Sequence, residues 1–460
     1  MYFQQFFLSC LAQASYFIGS EGIAAVVDPQ RDVELYLKEA RDRGFTIRYV
    51  IETHLHADFV SGHSELAALT GAQIYIGARA GATFPHVGVH DGDEIRFGTC
   101  RLTFLETPGH TLESISIVVT DEERSKEKPY AVLTGDTLFI GDVGRPDLGG
   151  EARELAALLY DSLHRKLLAL PDDVAVFPAH GAGSLCGRAM SEDRSSTIGR
   201  ERRTNYALKA PDKTSFIELM TADIPERPSY FASDVALNRS GATPLSDQKE
   251  LQALEPAEVV VAQRRGAIVL DTRDEDAFGA GHIPNAVNIG LGGQFASWAG
   301  AIVGLEADII ILADDEARAR ETRLRLARVG IERTIGSVKS GIQAWHDGGM
   351  ALATVRQLDP QALRARIADG RVQLVDVRRP GEWSEDHIPG ALHIPLNELL
   401  ASFEELDRTR PVAAYCAGGY RSSIATSLLE RAGFEDVVNL SGGFDAWCEA
   451  GLQPEGSAVM

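Results

Sequence analysis

Histidines and aspartates follow four predicted β-strands in the first half of the chain. Imidazole and carboxylate groups are the ligands that borderline first-row metal ions prefer. Because each of these residues follows a strand-like run, the strand ends can deliver them to one edge of a sheet. The sequence therefore predicts a metal site there, drawn from His54, His56, Asp58, His110, Asp136 and His180.

A second reactive group is a cysteine between a strand and a helix. Cys416 ends the strand-like run RPVAAYC and precedes the helical run IATSLLERAG. Free backbone N–H groups and the positive helix end stabilise a thiolate or persulfide anion at such a position. Gly418 and Gly419 let the amides converge, and Arg421 adds positive charge. The predicted anion-binding loop comprises Ala417, Gly418, Gly419, Tyr420 and Ser422, with Cys416 as nucleophile.

The second half of the chain contains an internal repeat. An Asp-x-Arg element and a His-Ile-Pro element begin at Asp271 and His282, and again at Asp376 and His387, at the same spacing. In the first copy Ala313 stands where the second has Cys416, followed by acidic residues that oppose an anion at a helix start. The first copy is therefore predicted to be inactive, with a role in spacing, packing or assembly.

The alternation of strand-like and helical runs predicts an α/β protein of several domains. It continues to about residue 200, weakens over 205–250, and returns in the two repeats. We predict a first domain at 1–245, an inactive repeat at 250–352 and an active repeat at 356–456. Both repeats are expected to contain parallel sheets.

The amino-acid composition excludes some classes of binding partner and indicates the cellular compartment. The net charge of −21 repels phosphate backbones and anionic membranes, so no nucleic acid or membrane partner is expected. No apolar run reaches the ~18 residues needed to span a bilayer. The five cysteines are widely spread without a CxxC motif, which indicates reduced thiols and a cytoplasmic or organelle-matrix setting. The sequence leaves open whether the protein forms a homo-oligomer.

The motifs THLHAD, TPGHT, GDTLF and PAHG resemble the metal motifs of the metallo-β-lactamase superfamily. The resemblance implies an αββα sandwich over residues 1 to about 240. Most hydrolases of that superfamily have a histidine after the Asp of this motif and hold two zinc ions, whereas this chain has Phe59. His54, His110 and Asp136 then remain as the two-histidine, one-carboxylate set of non-haem Fe(II) oxygenases.

The longer strings THLHADFVSGH and GDTLFIGDVGRPD are similar to the persulfide dioxygenases of the superfamily. The resemblance implies one Fe(II) per chain. It also implies oxidation of a small-thiol persulfide, such as that of glutathione or coenzyme A, with O₂ to sulfite.

Several residues around this site have two open interpretations. His56, Asp58 and His180 either orient iron-bound water or a ligand histidine, or are vestiges of a second metal site. Arg145 either meets an anionic thiol carrier or forms a structural salt bridge within its loop. Cys186 either lines the substrate channel or accepts sulfur, or is a buried small hydrophobe.

Residues 356–455 resemble the rhodanese sulfurtransferases through LVDVR, HIPGA, the Cys-x₄-Arg loop and LSGGFDAW. The resemblance implies that Cys416 carries sulfur as a persulfide beside Arg421, acting in sulfide detoxification. Transfer to sulfite would make thiosulfate, and the reverse direction would feed persulfide to the iron. Two alternatives are a dizinc thioester hydrolase of the glyoxalase II type and a sulfur carrier or sensor without turnover.

Overall fold

The computed structural model describes residues 1–222, 224 and 226–456. The chain divides into two compact units. The first comprises residues 1–249 with 327–330, and the second comprises 250–326 with the described residues from 331 onward. Among the described residues, no helix combines the length and the apolar character needed to cross a membrane.

Two six-stranded sheets form the centre of the first unit. The first sheet contains, in order, β1 (Tyr2–Leu8), β2 (Gln13–Ser20), β3 (Ile23–Val27), β4 (Thr46–Glu52), β5 (Gln73–Gly77) and β6 (Val87–Val89). The second contains β7 (Glu94–Phe97), β8 (Cys100–Glu106), β9 (Ile115–Asp121), β10 (Ala131–Gly135), β11 (Ala175–Pro178) and β12 (Ser196–Thr197). Strands β3 to β6 are parallel, and β10 and β11 form a parallel pair in the second sheet.

The inner faces of the two sheets share one apolar core, and helices cover the outer faces. Alternate residues of β7 and β8 point into this core, among them Ile95, Leu102 and Phe104. The helices are α1 (Glu34–Arg43), α2 (His63–Thr70), α3 (Ala152–Arg165), α4 (Ile198–Thr204), α5 (Lys213–Thr221) and α6 (Phe231–Ser240), with 3₁₀ turns at Leu167–Ala169, Ala207–Lys209 and Leu245–Asp247. The predicted αββα sandwich is confirmed.

The middle domain is built on a parallel five-stranded sheet of order β13-β17-β16-β14-β15. Its strands are β13 (Ala253–Leu254), β14 (Ile268–Asp271), β15 (Val287–Asn288), β16 (Ile309–Leu312) and β17 (Thr334–Val338). Its helices are α7 (Pro256–Arg264), α8 (Glu275–Ala280), α9 (Phe295–Ile302), α10 (Glu316–Ala327) and α11 (Gly341–Asp347). The short strand β15 forms an edge of this sheet.

The last domain repeats this sheet with the order β18-β23-β22-β19-β21. Its strands are β18 (Arg356–Leu358), β19 (Gln373–Asp376), β20 (Asp386–His387), β21 (Leu392–His393), β22 (Val412–Tyr415), β23 (Val437–Leu440) and β24 (Glu455–Gly456). Its helices are α12 (Pro360–Ala368), α13 (Pro380–Glu385), α14 (Tyr420–Arg431) and α15 (Gly443–Glu449), with a 3₁₀ turn at Phe403–Glu405. The prediction of two domains with parallel sheets is confirmed.

Candidate functional site

Three strand ends bring His54, His110 and Asp136 together in the first unit. His54 follows β4, His110 follows β8 and Asp136 follows β10 directly. All three side chains are buried, and one potential ligand atom from each lies within 4.8 Å of the others. Asp136 Oδ2 is 3.4 Å from His110 Nε2 and 3.8 Å from His54 Nε2.

Hydrogen bonds orient both imidazole rings through their Nδ1 atoms. His110 Nδ1 donates to the Arg145 carbonyl over 2.9 Å. His54 Nδ1 lies 3.0 Å from Thr53 Oγ1, which donates to Asp28 Oδ2. Both Nε2 atoms are buried without a hydrogen-bond partner in the described residues. Two unpartnered nitrogens beside a carboxylate fit a divalent metal ion with open coordination positions.

The electrostatics also suit a metal ion. Burial, reinforced by His56, lowers the pKa of His54 well below its usual value, and burial likewise lowers the pKa of His110. Burial opposes ionisation of Asp136, but His180 and His54 outweigh it and lower the pKa of this carboxyl. At neutral pH the three groups are thus two neutral imidazoles and a carboxylate, which are the forms that bind metal.

A second buried group, His56, Asp58 and His180, lies beside the first. Its ligand atoms also lie within 4.8 Å of one another. His180 bridges the two groups, with Nδ1 2.8 Å from Asp136 Oδ1 and Nε2 3.1 Å from Asp58 Oδ2. Phe59 is buried with its ring centroid 4.4 Å from that of His56. An apolar ring therefore stands directly against the second group.

Asn238 in α6 holds the loop that follows β4, a role that the sequence does not reveal. Its amide nitrogen donates to the carbonyls of His56 and Phe59 over 2.8 Å each, and its oxygen accepts from Ser61 N. Asn238 lies in the stretch 205–250, where the α/β pattern weakens. No local motif marks it, because its partners are about 180 residues earlier in the chain.

Arg145 and Cys186 lie in neighbouring loops at this end of the sandwich. Arg145 forms two hydrogen bonds with Asp147, of 2.7 and 2.9 Å, and its backbone N–H donates to the Cys186 carbonyl. Of the two interpretations of Arg145, this geometry favours the structural salt bridge. The buried Cys186 thiol groups with Asp136 and His180, and burial together with Asp58 raises its pKa.

The structure places Cys416 directly after β22 and within hydrogen-bond reach of the predicted loop. Gly419 N donates to Cys416 Sγ over 3.1 Å, and Ser422 Oγ lies 3.6 Å from the same sulfur. The loop is fixed from behind, because Phe444 N donates to the Cys416 carbonyl over 2.7 Å. A Cβ atom at Gly443 would lie 2.4 Å from that carbonyl oxygen, so this close approach requires glycine.

Arg421 is ion-paired, through a partner that the sequence alone does not identify. Its guanidinium donates two 2.7 Å hydrogen bonds to Glu382 in α13. Partial burial raises the pKa of Glu382, but the hydrogen bonds from Arg421 outweigh it and lower that pKa to about 2. Tyr420 points away from the sulfur, since its hydroxyl donates to the Gly290 carbonyl of the middle domain over 2.9 Å.

The corresponding position of the middle domain carries no nucleophile. Ala313 follows β16 as Cys416 follows β22. Arg318, aligned with Arg421, pairs with Glu321 on its own helix over 3.0 Å. The local frame is retained without the cysteine.

We expect the first unit to lose stability in acid because of His63, at the start of α2. Burial lowers its pKa to about 3, whereas an unfolded histidine titrates near ~6.5. The stability that the neutral ring contributes is therefore fully present above pH ~6.5 and is lost as the pH falls toward 3, by about 2 kcal/mol at pH 5. His63→Gln is expected to remove this part of the pH dependence.

Hydrogen exchange of the α2 amides between pH 7 and 5 measures the effect. Tryptophan fluorescence would not report it, because all four tryptophans lie beyond residue 250. The exposed His86 provides the control, and His86→Gln should keep the parent slope. An unchanged slope in His63→Gln would contradict the prediction.

Comparison with family models identifies two kinds of domain. The metallo-beta-lactamase superfamily model matches residues 8–180. The rhodanese-like domain model matches twice, over residues 252–347 and 359–450.

Curated relatives match the first part of the chain. A hydroxyacylglutathione hydrolase of Polaromonas sp. is 38% identical over 162 residues, which are 35% of this chain and 57% of the relative. The mitochondrial persulfide dioxygenase ETHE1 of Homo sapiens is 32% identical over 177 residues, 37% of this chain and 64% of the relative. The chain thus spans 57 to 64% of the length of these relatives.

A solved structure matches a larger part of the chain. The crystal structure of a metallo-beta-lactamase from Staphylococcus aureus is 31% identical and aligns with a TM-score of 0.67. The alignment covers 73% of this chain and 98% of that one.

Proposed function

The chain belongs to the metallo-β-lactamase superfamily and carries two rhodanese-like domains, and we propose that it is a persulfide dioxygenase coupled to a sulfurtransferase. The first domain would oxidise the persulfide of a small thiol, such as glutathione or coenzyme A, with O₂ and water to the thiol and sulfite. The last domain would carry sulfur on Cys416. The proposed role is detoxification of sulfide, and the five free cysteines suit a reducing cytoplasm.

The observation that carries the proposal is the group of His54, His110 and Asp136 with Phe59 beside it. Two unpartnered Nε2 atoms and one carboxylate supply three ligands and leave other positions open to substrates. When bound, Fe(II) would supply the redox chemistry that brings the persulfide sulfur and O₂ together. Phe59 occupies the position of the histidine that the two-zinc hydrolases of the superfamily use, which favours one metal ion per chain.

The surroundings of Cys416 support the sulfurtransferase half. In one direction, Cys416 Sγ attacks the outer sulfur of a donor persulfide, whose thiolate leaves, and sulfite then takes that sulfur as thiosulfate. In the other, the thiolate takes sulfur from thiosulfate with release of sulfite and passes it to a small thiol. The Gly419 amide hydrogen bond stabilises negative charge on the sulfur in both directions.

A second candidate function is hydrolysis of a glutathione thioester with two zinc ions. The identity to the Polaromonas hydroxyacylglutathione hydrolase supports it, as does the second group of His56, Asp58 and His180. In that case the rhodanese-like domains would be accessory.

Metal content separates the two candidates, and Phe59→His makes the test sharper. We expect about one iron per parent chain and O₂ uptake that depends on an added glutathione persulfide. Phe59→His offers a further imidazole beside His56 and should raise the metal content toward two per chain while lowering O₂ uptake. Element analysis after anaerobic purification and an oxygen electrode provide both measurements. Two zinc ions in the parent, with thioester hydrolysis and no persulfide-dependent O₂ uptake, would establish the hydrolase instead.

A further inference from the structure

The middle domain, although it lacks a nucleophile, contacts the helix that follows the Cys416 loop. This helix, α14, lies between its own sheet and the edge strand β15 of the middle domain. An unbroken run of its residues, 422–429, is buried and includes three serines and a threonine. Buried hydroxyls require hydrogen-bond partners, so the partners of these residues show what holds the helix.

Asn288 of β15 supplies two of those partners. Ser423 Oγ donates to Asn288 Oδ1 over 2.6 Å, and Asn288 N donates to Ser427 Oγ over 3.0 Å. The Asn288 amide group cannot rotate freely, because its nitrogen donates to the carbonyls of Asp271 and Arg273 over 3.1 and 3.0 Å. The middle domain therefore presents a fixed acceptor to the first turn of α14.

Tyr420 provides a second contact at the same end of the helix. Its hydroxyl donates to the Gly290 carbonyl. Its ring lies in a slot lined by Gly290 and Gly293, where a Cβ atom at either glycine would lie 3.5 Å from the ring. Tyr420 and Ser423 flank Arg421 and Ser422, and Gly419, whose N–H donates to Cys416 Sγ, directly precedes Tyr420.

We propose that the middle domain is a positioning element for sulfur transfer, in which Asn288, through Ser423, and Gly290, through Tyr420, hold the amide and hydroxyl donors of residues 419–422 around the Cys416 sulfur. A displacement of donors by a fraction of an ångström weakens their stabilisation of a sulfur anion. The inference rests on the proposed sulfurtransferase activity, which it deepens by assigning a task to the inactive domain. Asn288 and Gly290 touch neither sulfur nor substrate and act through the loop.

Two variants test the proposal in the full-length chain. Tyr420→Phe removes a hydroxyl and keeps the ring in its slot, and Asn288→Ala removes the acceptor of Ser423. Each is expected to lower kcat for sulfur transfer from thiosulfate to cyanide about tenfold, with KM for thiosulfate little changed. Persulfide-dependent O₂ uptake should stay at the parent level.

The other end of α14 offers a matched control. Glu430 lies 3.0 Å from His282 of the middle domain, about 15 Å along the helix from Tyr420. Glu430→Ala removes an interdomain contact without touching the loop, and kcat should remain at the parent value. The thermal midpoint of each variant is measured in parallel.

The possible outcomes separate this inference from the proposed function. If all three variants lost kcat, and each loss followed the loss of thermal stability, the middle domain would have only a stabilising role. That result would overturn the inference. Parent values of kcat in Tyr420→Phe and Asn288→Ala would also overturn it. A parent protein without sulfur transfer would refute the sulfurtransferase activity itself, and the inference with it.

Discussion

Cys416→Ser is expected to abolish sulfur transfer from thiosulfate to cyanide, by about three orders of magnitude, while leaving persulfide-dependent O₂ uptake intact. Serine retains the size of the side chain and the hydrogen bond from Gly419 N, but its hydroxyl does not form a persulfide. His54, His110 and Asp136 belong to the first unit, whereas Cys416 belongs to the second. Chemistry at the first group therefore does not require the Cys416 sulfur. Steady-state kinetics of the two reactions on the same preparation measure both effects.

Cys448 provides the control, because it is an exposed cysteine on α15 of the same domain. Cys448→Ser should transfer sulfur at the parent rate. If Cys416→Ser abolished O₂ uptake as well, the two activities would not be separate and the model of two independent sites would fail.

Asp136→Asn is expected to have the reverse effect of Cys416→Ser: it should lower O₂ uptake and leave sulfur transfer intact. Asp136 supplies the only carboxylate of the His54–His110–Asp136 group, and its oxygens also accept from His180 over 2.8 and 3.0 Å. The amide has no charge to balance the metal ion, so we expect iron content and O₂ uptake to fall by at least about a hundredfold. Sulfur transfer through Cys416 should remain at the parent rate.

The exposed His86 again serves as the matched control, since His86→Gln changes an imidazole that lies outside both metal-ligand groups. Retention of iron and O₂ uptake by Asp136→Asn would exclude this aspartate as a ligand. It would also direct attention to the group of His56, Asp58 and His180.

The position of a candidate side chain can be predicted from the sequence where its geometry is set locally. His54, Asp136 and Cys416 each come just after a buried strand, so recognising the strand is enough to place the side chain at a sheet edge. The repeat likewise predicts two similar parallel sheets, because both copies carry the same elements at the same spacing.

Residues that act through distant partners could not be predicted in this way. Asn238 binds the loop after β4 from a helix far along the chain, and Glu382 binds Arg421 from 39 residues earlier. Asn288 meets Ser423 over a separation of 135 residues. Periodicity and motif spacing describe neighbours in sequence, whereas these contacts exist only after the sheets have formed and packed.

The serine-rich buried face of α14 has an evolutionary consequence. A gene that lost the middle domain would remove the Asn288 groups that Ser423 and Ser427 contact and open this face of α14 to water, so Ser423 would no longer be fixed by an acceptor in the protein. Natural selection can therefore preserve a domain that has alanine where its neighbour has Cys416, because the neighbour depends on the contact. Homologous genes should then inherit or lose the two repeats together, with residues 288 and 423 changing as a pair.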